Sequence, residues 1–303
     1  MKLQTSVIIC TYNRAPLLKR TLESLARQTI SPDRYELIVV DDGSQDDTAG
    51  VCDMARNKMP DLKYIYTGEN YGSARSRNLG IQKASGYYIL FTDDDCIPEE
   101  DWIEKMIDAL RHEPIVAGAV KSAYYNYYKL CHNIAEFHAV MPGEKRDYIE
   151  FIAGANMGFQ RPVLEEFQGF QEDNRYAEDM EFILRARQKG YHPFFARNAV
   201  VIHDHDRDTI TSIFKYSALH ASKTIILRNK YLSVLKTPFV LRSPLLVILS
   251  APLIAFRVTA SIYLNNPEFV RYLTTIPMVY ALKLAWCWGA ARGLWQKRKE
   301  RLP

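Results

Sequence analysis

The sequence predicts an α/β fold in which a mainly parallel sheet carries helices on both faces and is followed by a helical C-terminal part. Three observations predict it. Short apolar runs alternate with amphipathic stretches up to about residue 120, acidic residues follow two of those runs, and the pattern becomes helical from about residue 209. In parallel sheets of this kind, ligands bind beyond the carboxyl ends of the strands. We therefore expect the functional residues directly after strands.

Four apolar runs are predicted as buried strands, because they are short, rich in β-branched or aromatic residues and bounded by polar residues. The stretches between them have apolar residues at helical spacing. One helix is expected to begin with a capping box formed by Ser44 and Asp47. In chain order, the predicted strands are 6–10, 36–40, 62–66 and 87–92, and the predicted helices are 16–28, 44–57, 73–83 and 100–111.

Composition limits the classes of function. The chain of 303 residues is 48% hydrophobic and 24% charged, as is ordinary for a globular protein. Its formal charge of +4 is too small an excess to indicate nucleic-acid binding, and we expect none. Five scattered cysteines form no CxxC pair, which argues against a disulfide framework or a zinc site. The N-terminus lacks a signal-peptide pattern, so we expect the catalytic part in the cytosol.

An acidic triplet, Asp93-Asp94-Asp95, directly follows the strand predicted at 87–92. Alternation along an extended chain would place Asp93 and Asp95 on one side and Asp94 on the other. Two carboxylates on one side suit a hard divalent cation, Mg2+ or Mn2+, which also binds phosphate oxygens. A solvated turn would also explain the triplet. A second acidic strand end, Asp41-Asp42-Gly43-Ser44, favours the metal site.

Four segments occur in the order SVIICTYNR, ELIVVDDGSQDDT, NYGSARSRNLGI and YYILFTDDDC. Together they resemble family 2 glycosyltransferases of the GT-A fold. The resemblance is strong over residues 4–110, continues through weaker motifs to about residue 208, and does not cover the chain after about 236. It implies a Rossmann-like nucleotide-diphospho-sugar transferase domain and an inverting, metal-dependent enzyme of polysaccharide biosynthesis. Its partners would be a nucleotide-sugar donor, with UDP-sugars favoured, and a glycan or lipid-linked acceptor.

The resemblance also implies which residues bind the donor. Cys10 (through its backbone), Tyr12 and Asp42 match positions that hold the base and ribose, although ordinary packing would also explain Tyr12. Further donor contacts are implied on the loop and helix after the third strand, at Gly72, Arg77 and Asn78, where Arg77 matches the family better than Arg75 does. Asn156 lies in a later Gly-Ala-Asn segment that, by the resemblance, lines the acceptor or donor-sugar side.

The DxD motif of the family falls on Asp93 and Asp95, with Asp94 as its middle residue, and the resemblance implies that Asp93 and Asp94 contact the donor. By this resemblance, Asp95 is the expected metal ligand, and Asp93 contacts the ribose or a metal-bound water. The segment VVIHDHDRD places His203 and His205 on one side of an extended chain. The resemblance implies that one of these histidines closes over the metal or the diphosphate, and we prefer His203.

The segment RYAEDMEF matches the ED motif of the family. Inverting sugar transfer needs a general base near the acceptor hydroxyl, because a neutral hydroxyl is a poor nucleophile. The resemblance assigns this base to Asp179, with Glu178 as the alternative. An acidic helix N-terminus, where carboxylates meet the helix dipole favourably, would also explain both residues.

The C-terminal part is apolar and basic. Residues 244–256 are uncharged between Arg242 and Arg257, and tryptophans precede a basic end. No run reaches the roughly 20 apolar residues of a spanning helix. Interfacial aromatics beside basic residues favour helices that lie on an anionic surface. We therefore expect a catalytic domain at 1–236 and a membrane-associating helical extension at 237–303, on the cytoplasmic face of the cell membrane. Two alternatives stay open for these C-terminal helices. They could pack on the catalytic domain or on a second subunit of a homo-oligomer, or they could form a re-entrant or membrane-spanning pair.

Two alternative functions remain. A nucleotidyltransferase also uses a metal on an α/β sheet, but it usually has a Gly-rich, arginine-bearing loop after the first strand, where this chain has TYNRAPLL. A non-catalytic nucleotide-sugar-binding protein would be expected to have lost some of the acidic positions, and all of them are present.

Overall fold

The computed structural model describes residues 5–59, 61–123, 126–172 and 177–299. The first two residues of the RYAEDMEF segment lie outside these ranges. The chain divides into two compact units, Met1–Lys121 with Ala139–His205, and Ser122–His138 with Asp206–Pro303. The boundary predicted near residue 236, between a catalytic and a membrane-associating part, stays a prediction.

The first unit is built on a mixed sheet. Its strands are β1 (Thr5–Thr11), β2 (Tyr35–Asp41), β3 (Leu62–Tyr66), β4 (Tyr88–Thr92), β5 (Cys96–Pro98), β6 (Ile115–Ser122), β7 (Asn156–Gln160) and β8 (Phe194–His203). Over the described residues their order is β3-β2-β1-β4-β7-β6-β8-β5. The first four are parallel, as predicted. Strand β7 runs antiparallel to β4 and β6, and β5 runs antiparallel to β8, so the second half of the sheet is not parallel.

The helices, in chain order, are α1 (Ala15–Leu25), α2 (Thr48–Arg56), α3 (Ser73–Lys83), α4 (Trp102–Leu110), α5 (Tyr127–Phe137), α6 (Arg161–Glu166), α7 (Glu178–Gln188), α8 (Ile210–Lys230), α9 (Leu232–Leu235), α10 (Pro244–Leu249), α11 (Ala251–Asn265) and α12 (Ile276–Lys299). Short 3-10 helices lie at Pro32–Arg34, His138–Val140, Phe239–Arg242 and Pro267–Thr275. All four predicted strands and all four predicted helices are present, with ends that differ by a few residues. Helices α1 and α4 bury a face rich in apolar residues, whereas α3 buries Ala74, Ser76, Arg77 and Gly80.

The capping box expected at the start of α2 is wrong. The helix begins at Thr48, and the preceding Asp47 makes no side-chain cap within the described part of the chain. The Ser44 hydroxyl instead accepts a hydrogen bond from the Asn13 backbone N–H at 2.8 Å. The Asp46 carboxylate accepts the Thr48 N–H at 3.2 Å. The contact between Ser44 and Asn13 holds the loops after β1 and β2 together.

In the second unit, α8 and α12 pack with their backbones close together. Gly289 and Gly293 lie one turn apart on α12, and a Cβ added to either would overlap the carbonyl oxygen of Ala218 or Ser222 on α8. Only residues without a side chain permit this approach. The part of the chain after residue 236 thus packs on a helix that precedes it. Among the described residues, no helix is both long and apolar enough to cross a membrane.

Candidate active site

Asp42 follows β2 and ties this strand to the start of α3. Its carboxylate accepts hydrogen bonds from the backbone N–H groups of Tyr71 (3.0 Å) and Gly72 (2.8 Å) and from the Ser76 hydroxyl (3.0 Å). Gly72 has a φ of 97°, which glycine adopts without strain. These bonds fix the loop where the donor is expected. Contact of Asp42 and Gly72 with the donor stays a prediction.

Tyr12 and Cys10 lie at the end of β1. The Tyr12 side chain is 45% exposed, so its ring is open for stacking. Burial raises the pKa of the Cys10 thiol to about 12, which keeps this thiol neutral at pH 7. This agrees with the expectation that Cys10 contributes only its backbone, and both donor contacts stay predictions.

The acidic triplet lies in a turn after β4. The Cys96 N–H donates to the Asp93 carbonyl at 3.2 Å, which closes the turn. Arg14 contacts Asp94 at 3.1 Å and Asp95 at 3.3 Å. Asp94 and Asp95 therefore converge, and the expected alternation of the three side chains is not observed. The reason is that the extended backbone ends at residue 92, before the triplet begins.

Asp94 supports the turn. Its carboxylate accepts a hydrogen bond from the Thr11 hydroxyl at 2.8 Å, besides the contact with Arg14. Burial, together with the neighbouring Asp95 carboxylate, raises the pKa of Asp94 to about 7. Asp94 thus joins the end of β4 to the end of β1. Its contact with the donor stays a prediction.

Arg77 is buried and joins two acidic elements. Its guanidinium pairs with Glu178 at the start of α7 and with Asp93 at 3.1 Å. Gly154 leaves the space that this arrangement needs, because a Cβ at that position would lie 2.7 Å from Arg77 Nη2 and 3.2 Å from Asp179 Oδ2. Arg77 therefore organises carboxylates from two parts of the chain, and its contact with the donor diphosphate stays a prediction.

Asp179 lies in the first turn of α7. Its Oδ2 accepts a hydrogen bond from the Gly154 N–H at 2.8 Å, and its Oδ1 accepts one from the Met180 N–H at 2.7 Å. The residue before the helix, Ala177, has a φ of 62°, and such values are rare for residues with a Cβ and cluster at functional sites. Glu178 is buried against Arg77, so Asp179 is the better placed of the two candidate bases.

Asp95, Cys96 and His203 form a possible metal-ligand group, with one donor atom of each within 4.8 Å of the others. The pairing of β5 with β8 places Cys96 opposite His203, whose Nε2 lies 3.4 Å from Asp95 Oδ1. Adjacent ligands of an octahedral ion with bonds of about 2.1 Å lie roughly 3 Å apart, so this pair fits one ion. Burial raises the pKa of the Cys96 thiol well above its usual value, and sulfur is a soft ligand, whereas Mg2+ and Mn2+ prefer oxygen ligands.

The charges of Asp95, Arg77 and His203 also act on the Asp93 carboxylate. Burial raises its pKa, and the Asp95 carboxylate adds to this, whereas Arg77 and His203 act in the opposite direction. His205 packs with its ring centroid 5.0 Å from that of His203, and it is not part of the possible ligand group. The geometry therefore favours His203 of the two histidines. Its role as a ligand stays a prediction.

Asn78 and Asn156 use their amides within the protein. Asn78 exchanges two hydrogen bonds of 2.8 Å with the backbone of Phe170. Asn156 is fully buried, where its Nδ2 donates to two backbone carbonyls at 2.9 Å and its Oδ1 accepts from Trp102 Nε1 at 2.9 Å. The donor contacts expected of both residues stay predictions.

Sequence reasoning missed Arg14 and the pair of Arg20 with Asp204. Arg14 ends the segment SVIICTYNR and bridges Asp94 and Asp95. A basic residue just after a strand, opposite acidic strand ends, is a signal that could have identified it. Arg20 on α1 pairs with the buried Asp204, whose N–H donates to the Asp95 carbonyl at 2.9 Å. Their distance along the chain left no local signal.

Two family models match the chain. The model described as glycosyl transferase family 2 matches residues 6–167, which is 162 of the 303 residues. The model described as glycosyl transferase family group 2 matches residues 88–294.

Sequence relatives agree with these models. The chain is 28% identical over 200 residues to glycosyltransferase AglE of Haloferax volcanii, covering 65% of this chain and 66% of that protein. It is 27% identical over 250 residues to the O-antigen chain rhamnosyltransferase RfbN of Salmonella typhimurium, covering 75% of this chain and 76% of that protein. The matched part thus spans about two thirds of the first relative and three quarters of the second.

Solved structures share the fold. The mannosyltransferase PcManGT from Pyrobaculum calidifontis, in complex with GDP-Man and Mn2+, is similar with a TM-score of 0.71 at 19% identity, over 98% of this chain and 88% of that one. S. aureus TarS 1–349, in complex with UDP-GlcNAc, is similar with a TM-score of 0.56 at 17% identity, over 98% of this chain and 92% of that one. At these identities the likeness concerns the fold.

Proposed function

Because this chain belongs to glycosyl transferase family 2, we propose that it transfers a sugar from a nucleotide-diphosphate sugar to a hydroxyl group of a glycan or lipid-linked acceptor. The family, the GT-A class of fold and the enzyme class predicted from the sequence are confirmed. The observation that carries the proposed reaction is that Asp95 and His203 lie close enough together to hold one ion, while Arg77 joins Asp93 of the same acidic turn to Glu178, the neighbour of Asp179. A UDP-sugar is the favoured donor.

Asp179 acts as the general base of the proposed reaction. It takes the proton of the acceptor hydroxyl, whose oxygen attacks the anomeric carbon as the bond from that carbon to the diphosphate breaks. The nucleoside diphosphate leaves, and the anomeric configuration inverts. General-base catalysis of this kind contributes about 10²- to 10⁴-fold to the rate. The hydrogen bonds from Gly154 and Met180 support this role, because they orient the carboxylate.

Asp95 and His203, with Asp93 close by, would hold Mn2+ or Mg2+. Carboxylate oxygens suit both ions, and the imidazole nitrogen favours Mn2+ as the transition ion of the two. When bound, such an ion offsets the charge of the leaving diphosphate. Arg14 bridges the carboxylates of Asp94 and Asp95 and so holds the turn after β4 in place.

A panel of nucleotide sugars, with and without Mn2+, tests the proposed reaction. The full chain should show a metal-dependent thermal shift with one donor class, and it should release a nucleoside diphosphate as a glycosylated acceptor forms. Consumption of a nucleoside triphosphate with release of pyrophosphate would identify a nucleotidyltransferase instead. Donor binding without turnover against any acceptor would identify a non-catalytic binding protein.

We also propose that residues 1–236 carry catalysis and that residues 237–303 bring the enzyme to the cytoplasmic face of the cell membrane. Exposed Trp288 and Trp295 on α12, beside the basic residues that end this helix, support the proposal. Fractionation of cells that express the full chain tests it. The protein should sediment with membranes and be released by alkaline carbonate. Recovery of all the protein in the first soluble fraction would contradict membrane association.

A further inference from the structure

Helix α11 turns an apolar face outward. Leu253, Phe256 and Leu264 lie on one side of the helix and are 69%, 65% and 79% exposed. The opposite side, with Ala255 and Ile262, is buried. A surface helix of a globular protein normally has the reverse pattern, with its polar face outward. Exposed apolar side chains in such a row mark a surface that meets a partner.

Helix α10, which ends two residues before α11 begins, also exposes apolar side chains. Leu245 and Leu249 are 60% and 78% exposed, whereas Pro244 and Val247 of this helix are buried. Leu249 precedes Leu253 by four residues. We define the apolar outer face as the exposed residues of the two helices, namely Leu245, Ile248, Leu249, Leu253, Phe256 and Leu264.

The positive charge of the chain around this face indicates which kind of partner it binds. Residues 237–299 contain eight lysines and arginines and a single acidic residue, Glu268. Arg257 is exposed on α11 beside Phe256, and Arg242 is exposed just before α10. A second copy of the chain would oppose these positive charges with equal ones. Anionic lipid headgroups complement them, while the bilayer edge accepts the apolar side chains.

We propose that the apolar outer face inserts into the headgroup boundary of an anionic bilayer, with α10 and α11 lying in the membrane plane and Arg242 and Arg257 contacting lipid phosphates. A helix of 15 residues such as α11 is about 22 Å long, shorter than the hydrocarbon core of roughly 30 Å, so it lies on the bilayer. This inference rests on the proposed membrane association and deepens it, because it names the contacting residues and the lipid charge.

Co-sedimentation of the full chain with vesicles tests the inference. The vesicles are phosphatidylcholine alone or phosphatidylcholine with phosphatidylserine at 3:1. The wild-type protein should prefer the anionic vesicles, and salt should weaken this binding. The double variant Leu253→Ser/Phe256→Ser should bind about 100-fold more weakly, because two large apolar side chains leave the bilayer. Arg257→Gln should lose about fivefold on anionic vesicles only.

The matched control is Met54→Ser/Leu219→Ser, which removes two exposed apolar side chains from α2 and α8 and should bind as the wild type does. The inference is overturned if the α11 double variant binds as the wild type does, which would leave membrane association to other residues. Equal binding to both vesicle types overturns it, as does a wild-type dimer that the double variant dissociates in sedimentation velocity. Donor-induced thermal shifts of each variant report separately on the proposed reaction.

Discussion

Arg77 and Glu178 form a buried ion pair between α3 and the start of α7. The two residues are 101 positions apart in the chain. Since Arg77 also contacts Asp93, this pair links the acidic turn after β4 to the helix that carries Asp179. Residues expected to act on the donor and on the acceptor are thus held in one arrangement by a single guanidinium.

Replacement of Arg77 should destabilise the protein strongly. Arg77→Gln leaves Glu178 as a buried carboxylate without its cation, which costs about 3–5 kcal/mol in the free energy of unfolding. The double variant Arg77→Gln/Glu178→Gln should recover part of this loss. Urea denaturation measures both. Arg111→Ala, which breaks an exposed pair with Asp108, is the control and should change stability by less than about 1 kcal/mol. A loss of that small size for Arg77→Gln would contradict the assigned role.

Asp179→Asn should separate binding from chemistry. The amide keeps the size of the side chain and cannot take a proton, so we expect kcat to fall by about 10²- to 10⁴-fold. The donor-induced thermal shift should stay within error of the wild type. Glu166→Gln, a change at a surface carboxylate of α6, is the control and should leave kcat unchanged. Undiminished transfer by Asp179→Asn would move the base to another residue.

The proposed metal ligands can be tested with Mn2+ alone. Asp95→Asn and His203→Gln should each weaken Mn2+ binding at least about tenfold, as measured by the loss of the free Mn2+ signal in electron paramagnetic resonance. Cys96→Ser should leave the affinity unchanged, because Mn2+ prefers carboxylate oxygens to a soft sulfur ligand. Equal affinity for all three variants and the wild type would place the metal elsewhere.

Because α8 packs closely on α12, a glycine-to-alanine substitution in α12 should lower the stability of the protein, which is the opposite of its usual effect. In an exposed helix, glycine to alanine stabilises by about 1 kcal/mol. Gly289→Ala should instead destabilise by about 1–3 kcal/mol, because the new Cβ overlaps the Ala218 carbonyl oxygen. Thermal and urea unfolding measure the change. Gln296→Ala, at an exposed position of the same helix, is the control. Stabilisation by Gly289→Ala would show that the two backbones lie further apart.

Local patterns predicted the elements of the first half of the sheet and the places where polar residues follow them. Strands β1 to β4 were recognisable because a buried strand is a short β-branched run bounded by polar residues, and that signal lies within a few positions. The same patterns failed at the acidic triplet, where the backbone leaves the extended conformation, and at Ser44, whose hydroxyl bonds Asn13 rather than the start of a helix.

By itself, the sequence determined the α/β alternation, the acidic strand ends and the family, because each depends on residues that are neighbours along the chain. Only the tertiary structure decided the partners of those residues. Arg14 reaches Asp94 across 80 positions, and His203 meets Asp95 because β8 pairs with β5. The physical reason is that an ion pair or a metal site depends on distance in space, and folding brings together side chains whose separation along the chain leaves no periodic signal.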